Sequence, residues 1–278
     1  MATTIGVLHP GEMGSAVGAS ARAGGVRVLW ASEGRSSATQ ERARAGGLED
    51  VGTVARLAAD SPVILSVCPP ASAMDVARQV AALGFRGTYI DANAVAPDTT
   101  RKIGDLVTAA GATFVDGGII GPAPRRPGTT RLYLSGSGAR DVAGIFGGGF
   151  LEAIPLNGPI GAASAVKVAY AGWNKGSQAL LLAVRALATH EGVDDALLAE
   201  WARSQPELAK RSETAVTSNV RKAWRFVGEM EEIAATFAAA GLPDGFHDAS
   251  AEIYRRLAGW KDTPTPPSVA EVSKTLAP

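Results

Sequence analysis

The sequence is sparing with the residues that carry several kinds of chemistry. It has one cysteine, Cys68, and three histidines among 278 residues. A lone thiol excludes an intrachain disulfide framework and a multi-cysteine metal site, and it fits a reducing compartment. No uninterrupted apolar run approaches the ~18–20 residues that a membrane helix needs. Charge of either sign is not in excess: Lys+Arg and Asp+Glu number 27 each, so no basic field attracts nucleic acid or anionic lipid. The opening MATTIGVL runs directly into a strand-like segment, without the basic start, apolar core and cleavage site of a signal peptide. These absences predict a cytoplasmic protein whose partners are neither nucleic acid nor membrane.

What is present is apolar and rich in glycine: 46% hydrophobic residues, 19% charged and 33 glycines, the profile of a globular α/β chain. Strand-like runs at 3–8, 26–31, 62–67, 88–93, 112–117 and 131–136 alternate with helical spacing at 12–24, 36–46, 71–83 and 97–110. The continuous apolar character of 63–67 suits a strand covered on both faces. Such alternation predicts a parallel, doubly wound sheet. After about residue 155 strands vanish. A long Ala/Leu-rich helix at 162–192, apolar on nearly all sides and so expected to be buried all round by its own domain or by a partner subunit, is followed by helices at 194–204, 206–241 and 243–258 and a Pro-rich tail expected to be extended or mobile. The division expected is a Rossmann-type domain at 1–157 and an all-helical domain at 158–278, through which the chain would form a homodimer.

Between the first strand and the first helix stands His9-Pro10-Gly11-Glu12-Met13-Gly14. A dinucleotide-binding turn in this place would read G-x-G-x-x-G, its backbone N–H groups and the helix N-terminus facing a pyrophosphate. Gly11 would allow close backbone approach and Gly14 close helix–strand packing. His9 replaces the first glycine, which a non-glycine residue can do if its φ is negative. Residues His9 to Met13 are therefore expected cofactor contacts. About 20 positions on, Ser32, Glu33, Arg35 and Ser36 decide the adenosine end. Glu33 could take the ribose 2′-OH of NAD, whereas Arg35 and the hydroxyls could take the 2′-phosphate of NADP. NADP is the favoured cofactor, with NAD the alternative.

Four further blocks complete a pattern. IGVLHPGEMG (5–14), SVCPP (66–70), DANAVAP (91–97), VDGGIIGPAPRRPGT (115–129) and GAASAVKVAYAGWNKG (161–176) resemble, in order and spacing, the β-hydroxyacid dehydrogenase and 6-phosphogluconate dehydrogenase superfamily. RFVGEMEEIAATFAAAGLPDGFHDA (225–249) resembles the branch with a phosphogluconate-dehydrogenase-like C-terminal domain of unknown function. The resemblance implies that Cys68 and Pro69 line the cofactor and that Asn93 holds the nicotinamide side or the substrate. It implies that Lys167 is the general acid/base on a substrate hydroxyl. Burial of that lysine by an apolar helix would favour its neutral form and suit it to both halves of proton transfer.

Departures from the pattern concentrate at the substrate end. Gly118, Ile119 and Ile120 fall on the family's P-V-S run, so an isoleucine replaces its substrate-gripping serine, and Ala171 replaces an asparagine four residues after the lysine. Tyr170 and Asn174 share a helix face with Lys167 and could supply the missing hydrogen bonds, with Trp173 beside them. The resemblance implies a dehydrogenase or reductase moving a hydride between a nicotinamide and a hydroxy acid or related alcohol. Imine reduction on the same scaffold and a non-catalytic cofactor-bound sensor are the alternatives. Arg125, Arg126 and Arg131 read as solvated loop residues, His247 as a surface or helix-capping residue, and Glu229, Glu231 and Glu232 as carboxylates without metal-ligating company.

Overall fold

The computed structural model describes residues 3–277 and divides into two units, Met1–Val168 and Ala169–Pro278. The first unit carries β1 (Thr4–Leu8), α1 (Glu12–Ala23), β2 (Arg27–Trp30), α2 (Ser37–Ala45), β3 (Glu49–Asp50), α3 (Val54–Asp60), β4 (Val63–Ser66), α4 (Ala73–Ala82), β5 (Thr88–Asp91), α5 (Pro97–Ala109), β6 (Thr113–Ile120), β7 (Thr130–Ser135), α6 (Ala139–Ile145) and β8 (Leu151–Pro155). They build one sheet in the order β3-β2-β1-β4-β5-β6-β7-β8. Every neighbouring pair is parallel except β6 and β7. The loop 121–129 between those two is too short for a helical crossover, so the chain turns back on itself.

Adjacent residues of the central strands feed two separate cores. Val7, Leu65, Ile90 and Val115 join one apolar cluster, and Leu8, Ile64, Tyr89 and Phe114 the other. This is the two-faced burial that makes a strand read as a continuous apolar run. It also leaves the strand ends, where β1, β4, β5 and β6 finish side by side, to present polar groups.

Helix α7 (Ala162–His190) begins in the first unit and continues into the second. The first turns of α7 pack on β6 and so belong to the first unit. In the second unit α8 (Asp194–Ser204), α9 (Leu208–Asn219), α10 (Ala223–Ala239), α11 (Gly245–Arg256) and α12 (Val269–Leu276) follow. Arg185 of α7 is buried against the Asp194 carboxylate, with bonds of 2.7 and 2.8 Å, and donates to Ser212 Oγ at 2.8 Å.

Several expectations need correction here. The span 206–241 is two helices, broken by a 3₁₀ turn at Val220–Lys222, where Asn219 donates to Gln178 Oε1 of α7. The tail is not extended: Ser268 and Glu271 form a capping box, and α12 buries Val272 and Leu276. Helix α7 is not covered all round within the chain, since Trp173, Leu180 and Leu187 are exposed. His247 is neither a surface nor a capping residue. It lies 6% exposed in α11 against the Phe237 ring, in the space that Gly172 and Gly176 leave open, and burial lowers its pKa. The elements missed in the sequence (β3, α3, α6 and β8) are short, and β3 is an exposed Glu-Asp pair with no apolar signal.

Candidate active site

The turn after β1 keeps the shape that a glycine would give it. His9 has φ 62°, the only positive φ outside glycine among the described residues. The expectation of a negative φ is therefore wrong. The turn demands the left-handed region, which histidine tolerates better than most side chains. Gly11 N–H donates back to His9 O at 2.7 Å. A Cβ on Gly14 would come within 2.8 Å of His9 O, so glycine there lets α1 lie close against the turn, whereas a Cβ on Gly11 would meet nothing within 4 Å. Gly11 is the N-cap of α1 and offers no side-chain cap. The first turn of α1 thus carries the helix's positive end without a side-chain cap. Pro10 is buried, Met13 packs half-buried on the core, and Glu12 is exposed.

An imidazole and a guanidinium meet at this turn. Burial, followed by the neighbouring Arg35 charge, lowers the His9 pKa to about 4. The ring is therefore neutral near pH 7, and its Nδ1 is buried without a hydrogen-bond partner. The Arg35 guanidinium is half-buried, and its pKa is lowered by desolvation. Among the described residues no carboxylate pairs with it. Hydrogen bonds tie down the backbone that carries it: Arg35 N–H bonds to Ser32 O at 3.0 Å, Ser32 N–H to Asp50 Oδ1 at 3.2 Å, and Ser36 Oγ caps α2. Glu33 is exposed.

The ends of β4 and β5 are tied together by Asn93, which is 2% exposed. Its amide donates to Asp91 Oδ2 at 2.9 Å and to Ser66 Oγ at 3.1 Å, and its Oδ1 accepts from Cys68 N–H at 2.6 Å. Both donors are committed within the protein, so Asn93 fixes the Cys68-Pro69 loop relative to β5. Burial pushes the Asp91 carboxyl up to about 7; hydrogen bonds from Asn93 oppose that shift, and Asp116 adds to it. Burial pushes the Cys68 thiol up to about 11, which keeps it protonated and unreactive near pH 7.

Lys167 stands where α7 touches β6. Its Nζ donates to Ile119 O at 2.6 Å. Gly118 permits the approach: a Cβ there would lie 2.5 Å from Ala163 O and 3.3 Å from Lys167 Cβ. Gly118, Ile119 and Ile120 are all buried. Two buried groups missed in the sequence, Asp116 and Ser164, complete this corner. Asp116 Oδ2 accepts from the N–H groups of Gly161, Ala163 and Ser164 at 2.9, 3.0 and 3.1 Å and from Ser135 Oγ at 2.8 Å, and Oδ1 accepts from Ser164 Oγ at 2.6 Å. The only sequence signal was that Asp116 sits inside the VDGG block.

The first unit thus gathers His9, Arg35 and Cys68 at one place, Asn93 beside Cys68, and Lys167 with Gly118 and Ile119. Tyr170, Trp173 and Asn174 belong to the second unit. Tyr170 and Trp173 are 47% and 71% exposed, and Asn174 is half-buried. Arg125 and Arg126 are exposed. Among the described residues no group of three or more His, Cys, Asp or Glu could hold a metal ion, and no helix is long and apolar enough to cross a membrane.

Residues 4–140 match the family model described as NAD binding domain of 6-phosphogluconate dehydrogenase, and residues 188–257 the one described as Domain of unknown function (DUF1932). A curated relative from Methanothermus fervidus, an uncharacterized 28.5 kDa protein in the 7S RNA 5′ region, is 30% identical over 173 residues, covering 62% of this chain and 66% of the relative. Among solved structures, a Mycobacterium tuberculosis 3-hydroxyisobutyrate dehydrogenase with L-serine has TM-score 0.71 at 18% identity, with 100% of each chain covered. A reductive aminase from Aspergillus terreus, in complex with NADPH and ethyl levulinate, has TM-score 0.58 at 20% identity, with 99% of each chain covered. At these identities the two structures establish the shared fold.

Proposed function

The chain belongs to the 6-phosphogluconate dehydrogenase-like superfamily, and from that premise we propose that it is an NADP(H)-dependent oxidoreductase acting on a hydroxy acid or a related alcohol or carbonyl compound. The residues present fit the cofactor. A helix N-terminus without a side-chain cap, an open position over Gly11, a partnerless buried His9 Nδ1 and a half-buried Arg35 all await an anionic, hydrogen-bonding ligand. His9 to Met13 would hold the pyrophosphate, and Ser32 and Arg35 the 2′-phosphate. Cys68, Pro69 and Asn93 would wall the nicotinamide end. Glu33, exposed and turned to solvent, leaves the choice of NADP over NAD to Arg35.

The bound cofactor supplies or accepts the hydride. Lys167 would exchange the hydroxyl proton of the substrate, and the observation that carries this role is its Nζ, held half-buried at the Ile119 carbonyl near the end of β6. A neutral amine takes the proton during oxidation, and the ammonium returns it during reduction. Gly118 to Ile120 are the proposed substrate contacts. The lone cysteine and the balanced charge support a cytoplasmic enzyme of small molecules.

NADPH titration followed by a screen of carbonyl compounds tests the reading. Lys167→Ala should abolish turnover while keeping NADPH affinity; full turnover by that variant on a cyclic imine would replace alcohol chemistry with imine reduction. Tight NADPH binding with no oxidation across a broad panel would favour a cofactor-bound sensor. We also propose a homodimer through the helical unit. Trp173, Leu180 and Leu187 are exposed at seven-residue intervals along α7, the spacing of a helix–helix seam. Light scattering at micromolar concentration should give twice the chain mass, and a monomer would contradict it.

A further inference from the structure

Lysine side chains are long and flexible, so a proton-transferring lysine needs its helix fixed as well as its own terminus held. The amino end of α7, like every helix start, has four N–H groups with no partner inside the helix. Ala162 N–H bonds to Pro159 O at 3.1 Å, and the other three, from Gly161, Ala163 and Ser164, converge on one oxygen of Asp116. Asp116 has no solvent exposure, and its remaining bonds come from two hydroxyls, Ser135 Oγ and Ser164 Oγ. Thr100 Oγ1 lies 2.8 Å from Ser164 Oγ and, since that hydroxyl already donates to Asp116, Thr100 is its donor. This carboxylate is on β6, two residues before Gly118 and three before Ile119. One strand therefore grips one helix end at three points: carboxylate to first-turn N–H groups, glycine against the Ala163 carbonyl, and the Ile119 carbonyl to Lys167 Nζ.

From this arrangement we infer that Asp116 is the positioning residue for Lys167, setting the depth and rotation of the α7 start so that the ammonium meets the Ile119 carbonyl. Ser164 and Thr100 lock the carboxylate's second oxygen and fix its plane. The inference rests on the acid–base role proposed for Lys167. A carboxylate suits the task better than any neutral group, because charge-assisted bonds to backbone N–H groups are shorter and stronger, and because negative charge complements a helix N-terminus.

The test uses the full chain with its lysines reductively methylated with ¹³C, the Lys167 resonance being identified by its absence in Lys167→Arg. In Asp116→Ala this resonance should move toward those of exposed lysines while the other lysine signals stay in place. Turnover should fall on the order of 10²-fold in kcat, the effect of an ångström-scale misplacement, with NADPH affinity unchanged. Asp116→Asn, whose amide oxygen can accept the N–H bonds while its amide donates to Ser164, should restore most of both. If Asp116→Ala does not fold, Asp116→Glu serves in its place, since one extra methylene shifts the same anchor and should displace the resonance. A folded Asp116→Ala or Asp116→Glu protein with an unmoved Lys167 resonance overturns the inference. If Lys167→Arg keeps full turnover and Asp116→Ala still shifts the resonance, the acid–base role falls and the positioning role stands.

Discussion

The two polar corners of the first unit are built on opposite principles. Around Asp116 every hydrogen-bonding capacity is filled: five donors meet one buried carboxylate. Around His9 capacity is left open, with a buried Nδ1 that has no partner, a half-buried guanidinium and a helix start with no side-chain cap. Burying unsatisfied polar groups costs free energy. The saturated corner holds shape, and the unsaturated corner is the one to which the proposed function assigns the cofactor.

Breaking the saturated corner should have the largest effect. Asp116→Ala removes the acceptor shared by three N–H groups and two hydroxyls, and urea unfolding should register a loss on the order of 3–5 kcal/mol, with or without NADPH present. The unsaturated corner should respond in binding rather than in stability. Arg35→Ala should weaken NADPH about 10–100-fold, the equivalent of charge-assisted bonds worth roughly 1.5–3 kcal/mol, and NADH much less. Its unfolding midpoint without cofactor should hardly move. A comparable loss for both cofactors would place Arg35 at the pyrophosphate rather than at the 2′-phosphate.

The turn itself offers a third, smaller effect. His9→Val should cost about 1–2 kcal/mol, because a β-branched residue resists the left-handed region. His9→Gly should stay within about 1 kcal/mol of wild type, the relief of strain offsetting the looser unfolded chain. Equal losses in both variants would show that the imidazole, not the backbone, stabilises the turn.

The smallest effect is in the pH profile, where His9 and Asp91 act in opposite senses. The folded pKa of His9, about 4, lies below its unfolded 6.5, so its neutral form is favoured and stability is lost as pH falls through that window. Asp91, at about 7 against 3.8 unfolded, acts in the opposite sense: its contribution is full below 3.8 and is lost as pH rises through 7. Asp91→Asn should therefore remove a decline in urea midpoint between pH 4.5 and 8 that the wild type shows. An unchanged decline would assign it to another group.

How much of this was legible depended on whether a residue's role was local. The βα alternation and the two-faced strands come from short-range pattern, so the Rossmann order was readable, as was Gly14, whose spacing from the strand dictates its contact. The φ of His9 was not: the letter pattern shows a missing glycine, while the backbone shows that only the glycine's conformation was kept. Asp116 was hidden for a different reason. Its partners lie between 19 and 48 positions away along the chain, and a lone aspartate in a strand carries no sign of what it will cap. The tail misled because Pro264, Pro266 and Pro267 outweighed Ser268 and Glu271, whose capping box starts a helix with two buried anchors.

The measurement that reaches the central claim most directly is a fluorescence titration of the full chain with NADPH, run in parallel on wild type, Arg35→Ala and Asp116→Asn. Saturable binding at one NADPH per chain, weakened about 10–100-fold by Arg35→Ala and left intact by Asp116→Asn, is the predicted result. The contradicting result is no saturable binding, or binding that Asp116→Asn abolishes and Arg35→Ala leaves untouched.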